Sequence, residues 1–344
     1  MNFLEHQKSK NRKGYYSYSY SGDIYDDKQQ WNVGSSVFAL RCYYTVGINN
    51  SKDIEDAKNY ILKFQEHNYF YDKFIYKKSF LKNFLLSIKN NEFFNLFNIK
   101  YKIAETRQVL STLLLFDAIP DNFNVKLPSN IQNYISQLNW KDPWGAGSHF
   151  AHIMFLNKIA LKQKQITQEE YLNNVKVALN FLDTIQHSEN GGWYNGNPDN
   201  RIIINGAMKV ITGLQNADIS YIKNADRLID LCLESASDEQ ACDNFNIIFV
   251  LHYCNKVLNS GYRYDEIQNF ALNRLKKYKA HYKQDEGGFS FYPFSSNVKY
   301  YGVKITKGKN ESDIHGTFLF LYGISLILEI LGLEKEFGFR SYIT

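Results

Sequence analysis

Two histidines three residues apart, His149 and His152, follow the run Asp142-Pro143-Trp144-Gly145-Ala146-Gly147-Ser148. On a helix that spacing turns both imidazoles to one side. An imidazole exchanges a proton near neutral pH without the large shift a lone carboxyl would need. Asp142 supplies a nearby carboxylate, and the small residues beside Trp144 let a ligand approach the backbone. A second concentration, Glu311-Ser312-Asp313-Ile314-His315, sets carboxylates and an imidazole before an apolar run. The acid–base assignment that follows makes His149 the proton carrier and Asp142 or Asp313 its carboxylate partner. His315 would orient the substrate or stabilise developing charge. Trp144, His152, Arg201, Asn205, Glu105 and Asp243 are the expected substrate contacts, with Arg201 able to clamp a carboxylate or phosphate bidentately. Asp142 and Asp313 have a competing task, since aspartate at a helix start caps free backbone amides. No metal site and no cofactor is expected.

These residues share one kind of position. Each group stands at or near the head of a segment that is apolar almost all round: Ser36–Tyr44, Val109–Phe116, Phe150–Leu156, Ala207–Leu214, Ile247–Tyr253 and Thr317–Ile327. Such helices are normally enclosed by protein on most sides. Between them lie amphipathic segments such as Tyr171, Val175, Ala178, Leu179 and Leu182, opened by the capping box Thr167-Gln168-Glu169-Glu170. The five prolines fall between the periodic segments, and strand alternation is scarce. The fold class is therefore all-α. Alternating enclosed and exposed helices close naturally into an (α/α)6-type toroid of about six inner and six outer helices. Parallel inner helices would bring their N-termini, and the polar groups there, to one mouth that favours anions. Residues 68–104, rich in Phe and Lys, fit this period poorly and read as an insertion or a longer hairpin.

Composition narrows the class further. The chain has 344 residues, with 44% hydrophobic and 22% charged, a globular balance. A net charge of +5 without a long basic block gives no sign of a nucleic-acid partner. Arg274, Lys276, Lys277 and Lys279, the densest basic cluster, read as a solvated helix face. Four cysteines without a CxxC pair read as reduced thiols, buried at Cys42, Cys232 and Cys254 and more exposed at Cys242. The first residues lack a signal-peptide apolar core, and no stretch is read as a membrane span, so a cytoplasmic location is expected. Residues 1–30 read as a polar N-terminal segment and residues 31–344 as one toroid domain.

A local repeat accompanies the helices. Glu189-Asn190-Gly191-Gly192-Trp193-Tyr194 precedes one enclosed helix and Asp285-Glu286-Gly287-Gly288-Phe289-Ser290 another. Paired glycines followed by an aromatic resemble the repeats of terpenoid cyclases and protein prenyltransferases, which are α/α toroids. The resemblance implies the fold but not that chemistry. Where those prenyltransferases place a zinc Asp and Cys, this chain has Asn205-Gly206-Ala207, and only His315 matches their zinc His. The Asp-rich protonating run of the cyclases has no counterpart. The lanthionine cyclases are similar in His-Gly steps such as His315-Gly316, but their zinc cysteines are not matched. The expected function is a glycan-directed enzyme, a polysaccharide lyase or glycoside hydrolase, taking a small-molecule or oligosaccharide substrate at the toroid mouth. An isoprenoid-binding or cyclase-like protein and a non-catalytic binding toroid are the alternatives.

Overall fold

The computed structural model describes residues 2–49, 51–90, 92–121 and 123–343. It is all-α. Its helices are α1 (Asn2–Gln7), α2 (Val33–Thr45), α3 (Lys52–Leu62), α4 (Lys73–Lys89), α5 (Ile99–Leu114), α6 (Ile131–Ser136) and α7 (Pro143–Lys162). They continue with α8 (Gln168–Ile185), α9 (Asn200–Asn216), α10 (Ala225–Glu234), α11 (Ala241–Leu258), α12 (Tyr264–Tyr278), α13 (Ile314–Leu331) and α14 (Glu334–Phe337). Among the described residues the sheet content is three two-residue antiparallel ladders: β1 (Gln65–Glu66) with β2 (Tyr69–Phe70), β3 (Tyr282–Lys283) with β4 (Gly288–Phe289), and β5 (Lys299–Tyr300) with β6 (Val303–Lys304).

Each segment read as enclosed falls on a largely buried helix, α2, α5, α7, α9, α11 or α13, except that Val109–Phe116 runs two residues past the end of α5. In α2 the side chains of Val37, Phe38, Ala39, Leu40 and Cys42 are all withdrawn from water. Full burial of one large aliphatic or aromatic side chain is worth roughly 1.5–3 kcal/mol, so these helices hold the core. The helices between them bury one stripe each. In α8 that stripe is Tyr171, Val175, Ala178 and Leu182, and the capping box closes as expected: Glu170 N–H donates to Thr167 Oγ1 at 3.1 Å and Thr167 N–H to Glu170 Oε2 at 2.7 Å. Pro143 occupies the first turn of α7, where its missing N–H costs nothing.

The chain gathers into two compact units. The first comprises Met1–Ile119, Lys277–Tyr322 and Gly338–Tyr342; the second comprises Pro120–Lys276, Gly323–Phe337 and Ile343–Thr344. In the second, α7 lies close against α9, α9 against α11, and α10 against α11. The close approach of α7 and α9 depends on Gly206. A Cβ there would stand 2.7 Å from Pro143 Cβ and 3.0 Å from Pro143 O.

Three readings of the sequence change. Residues 1–30, read as a polar N-terminal segment, fall within the first unit and contribute to its core. Phe3, Leu4, Tyr15, Tyr16 and Tyr18 are buried, and Ser19 bridges Asp313 in antiparallel fashion. A tyrosine-rich stretch scores as polar, yet each ring carries a large apolar surface that burial rewards. Arg274 is not on a solvated face: it is buried, and its Nη1 donates to Ser237 O at 3.1 Å and Asn244 Oδ1 at 3.0 Å. Finally, α13 is long and apolar enough to cross a membrane by length and composition alone, although 72% of it is buried inside the protein. Residues 68–104, the misfit to the period, form the β2 strand, α4, a 3₁₀ turn at Phe93–Asn95 and the start of α5.

The two glycine pairs build the same local turn. Gly191 has φ 72° and Gly287 φ 69°, a backbone region that glycine enters without steric cost. Gly191 N–H donates to His187 O and Gly287 N–H to Lys283 O, both at 2.8 Å. The aromatic two residues on pairs back seven positions, Trp193 with Gln186 and Phe289 with Tyr282.

Candidate functional site

In the first unit, the strand-like run of residues 18–21 lies along the residues that lead into α13. Ile314 N–H donates to Tyr18 O at 2.9 Å, Tyr20 N–H to Ser312 O at 3.0 Å, and Ser21 N–H to Glu311 Oε2 at 2.7 Å. This pairing sets the Tyr18 hydroxyl beside the head of α13. Tyr18 Oη stands 3.0 Å from His315 Nδ1, and Asn297 Nδ2 stands 2.9 Å from Tyr18 Oη and 3.4 Å from His315 Nδ1. An amide nitrogen only donates, whereas a phenol accepts and donates. The His315 ring is stacked on Phe38 at 4.6 Å and tilted against Phe291 at 5.0 Å. His315 is half-buried, so its ring is held on two faces and along its Nδ1 edge.

Asp313 is fully buried beneath this group and serves as the cap of α13. Its Oδ1 accepts from Gly316 N–H at 2.8 Å, and its Oδ2 accepts from Phe291 N–H at 2.8 Å and Asn297 N–H at 3.0 Å. It therefore locks the Phe291 and Asn297 segments to the helix head that carries His315. Burial pushes its carboxyl up to about 7, against the pull of those amides. Behind Tyr18 stands Tyr300, at 6.1 Å between ring centres. Tyr300 Oη donates to Glu105 at 2.8 Å and receives Gln108 Nε2 at 2.9 Å. Burial raises the Glu105 carboxyl to about 8, and the Tyr300 hydrogen bond opposes the rise. Glu105 is thus an enclosed acid held by a phenol rather than a surface contact for substrate.

The second unit holds the remaining candidates. His149 and His152 do share one side of α7, with ring centres 5.6 Å apart, and His149 Nδ1 lies 3.2 Å from Tyr134 Oη. Asp142 is exposed and caps α7, accepting from Gly145 N–H at 3.2 Å. It lines a shallow surface depression with Trp144, Gly145 and Ser148. Arg201, Asn205 and Asp243 are brought together by the heads of α9 and α11. Arg201 Nε donates to Asp243 Oδ2 at 3.0 Å, Asn205 Nδ2 to Asp243 Oδ1 at 3.0 Å, and Asn246 Nδ2 to Asn205 Oδ1 at 2.7 Å. They border a small depression with Ile204, Ser235, Ser237 and Ile247. Among the described residues, no three His, Cys, Asp or Glu side chains are grouped as a metal site.

Sequence reasoning named His315, Asp313 and Glu105 but missed Tyr18, Asn297 and Tyr300. It looked for polar groups at helix heads, whereas Tyr18 and Asn297 lie on connecting segments and Tyr300 on β5. The signal present was the run Tyr15-Tyr16-Ser17-Tyr18-Ser19-Tyr20, too rich in aromatic surface to stay in water. His252, on the largely apolar α11, is mostly buried and faces Glu329, with Nε2 2.7 Å from Oε2.

No protein-family model matches the chain, and comparison with curated proteins finds no match. Among solved structures, a polysaccharide lyase is similar with a TM-score of 0.43 and 17% identity, over 88% of this chain and 91% of that chain.

Proposed function

We propose that the protein is an acid–base enzyme acting on glycans, and that it cleaves an acidic polysaccharide by β-elimination with His315 as the proton carrier. The observation that carries this reading is the half-buried imidazole held at Nδ1 by the Tyr18 hydroxyl, which in turn accepts from Asn297 Nδ2. In the tautomer that donates Nδ1–H to Tyr18 Oη, Nε2 is the basic nitrogen of the ring, and an imidazole exchanges a proton near neutral pH. In the elimination, Nε2 takes the proton on the carbon next to the uronate carboxyl. The C–H electron pair forms the carbon–carbon double bond, the glycosidic C–O bond breaks, and the leaving oxygen takes the same proton back from the His315 imidazolium, which regenerates the base. Tyr18 and Asn297 are positioning residues here, since Tyr18 is enclosed and acts through the imidazole.

Hydrolysis by two carboxylic acids is less well supported. That chemistry needs one carboxyl to protonate the leaving group and another to activate water or attack. Asp313 is saturated by backbone amides, Glu105 is held by Tyr300, and Asp142 is engaged in capping.

The test is a panel of polyuronates and glycosaminoglycans assayed for the ultraviolet absorbance of a conjugated unsaturated uronate. His315→Asn should lower turnover by about 10²–10⁴-fold while leaving the fold near that of the parent. His149→Asn, in the same assay, should leave turnover within a few-fold. Full activity in His315→Asn, or new reducing ends without the unsaturated product, would reject the proposal.

A further inference from the structure

Helix α4 wears its hydrophobicity on the outside. Its buried positions are Ile75, Ser79 and Ser87, and the polar ones are bonded inward: Asn98 Nδ2 donates to Ser79 Oγ at 3.2 Å and Asn95 Nδ2 to Ser87 Oγ at 3.0 Å. Leu81, Leu85 and Ile88, at i, i+4 and i+7, form one stripe on the opposite side and are 68%, 57% and 46% exposed. The turn that follows adds Phe93, Phe94 and Phe97, which are 64%, 50% and 65% exposed. An ordinary surface helix shows the reverse arrangement.

The charge on this element is of one sign. α4 carries five lysines and no acidic residue. Helical periodicity places Lys78, Lys82 and Lys89 along one border of the leucine stripe and Lys77 along the other. Lys73 is paired with Glu66 at 2.5 Å and Lys78 lies over the Tyr25 ring at 5.4 Å. Lys77, Lys82 and Lys89 make no ion pair among the described residues.

We propose that α4 and the Phe93–Phe97 turn dock on an anionic lipid surface, with the leucines and phenylalanines entering the headgroup boundary and the lysines meeting lipid phosphates and carboxylates. An apolar stripe bordered by lysines is the composition of a helix that lies in that boundary. Each lysine near such a surface also gains from its negative potential. A second copy of the chain is a poorer occupant, because a two-fold contact would set the same lysines against each other.

Co-sedimentation of the full chain with phosphatidylcholine vesicles, with and without phosphatidylserine, tests the proposal. Binding should require phosphatidylserine and fall steeply with salt. Lys77→Glu, Lys82→Glu and Lys89→Glu should each weaken it by roughly 5-fold or more. Leu81→Ser with Leu85→Ser should also weaken it, with circular dichroism and melting unchanged because both sites face water. No sedimentation with anionic vesicles at low salt would overturn the proposal, as would salt-insensitive binding that the lysine variants leave intact. Capture by an acidic polypeptide without vesicle binding would overturn it in favour of a protein partner.

Discussion

Replacing Asp313 with Asn separates a helix cap from a chemical group. The carboxylate accepts three backbone N–H bonds, one at Oδ1 from Gly316 and two at Oδ2 from Phe291 and Asn297. An amide offers a single oxygen. In its better orientation that oxygen keeps Phe291 and Asn297, and the new NH2 confronts the Gly316 N–H. Leaving that buried capping donor unsatisfied costs about 1–3 kcal/mol, so the variant should lose about that much. The loss should depend on pH. Asp313 titrates near 7 when folded, above its ordinary 3.8, so the folded state holds the proton more tightly than the unfolded one. That contribution to stability is fully present below 3.8 and disappears as the pH rises through about 7. Asn carries no such proton, so the deficit of the variant should be larger at about pH 5 than at about pH 8. Urea unfolding followed by circular dichroism at both values measures it. Unchanged stability at both pH values together with lost turnover would refute this reasoning and make Asp313 a participant in the chemistry.

Two further outcomes follow from the second unit and the thiols. Arg201→Met leaves the buried Asp243 carboxylate with Asn205 as its remaining side-chain donor, and should destabilise the protein by about 1–3 kcal/mol in urea unfolding, less than a fully buried pair because Arg201 is partly solvated; a loss under about 0.5 kcal/mol would show that the pair is solvent-screened throughout. Cys42, Cys232 and Cys254 are buried, and burial pushes their thiols up, whereas Cys242 is partly exposed. A disulfide reagent should therefore modify Cys242 quickly in the native protein and the other three only on unfolding, and rapid reaction of a second thiol would contradict the packing.

Helix positions were legible because burial has a period. Segments such as Ser36–Tyr44 and Ile247–Tyr253 are apolar on every face, and α2 and α11 enclose them. Caps were legible for the same local reason: Thr167, Asp142 and Asp313 all cap where sequence placed helix starts. The partners of His315 were not. Tyr18 and Asn297 reach it from 297 and 18 residues away, on segments without periodicity, and nothing local marks such a meeting. The pairing of His149 with Asp142 was drawn from their closeness in sequence. Asp142 instead satisfies Gly145, two turns from the ring it was meant to serve, and His149 finds Tyr134 on α6. Arg201, Asn205 and Asp243 were each read as substrate contacts from their helix heads, and the heads of α9 and α11 join them into one hydrogen-bonded group.

The first unit is threaded from both ends of the chain, and that imposes an order in time. Residues 120–276 of the second unit are contiguous and leave the ribosome in one stretch. The N-terminal run containing Tyr18 leaves first, yet its partners Asn297, Asp313 and His315 are made nearly 300 residues later. At about 5–20 residues per second, Tyr18 waits roughly 15–60 s for them. During that interval Tyr15, Tyr16 and Tyr18 lack the later part of their core and stand exposed to chaperones and proteases. A nascent chain halted before His315 would carry Tyr18, Asn297 and most of the helices but not the imidazole they hold, so the capacity proposed for this protein waits on a residue made long after its first partner.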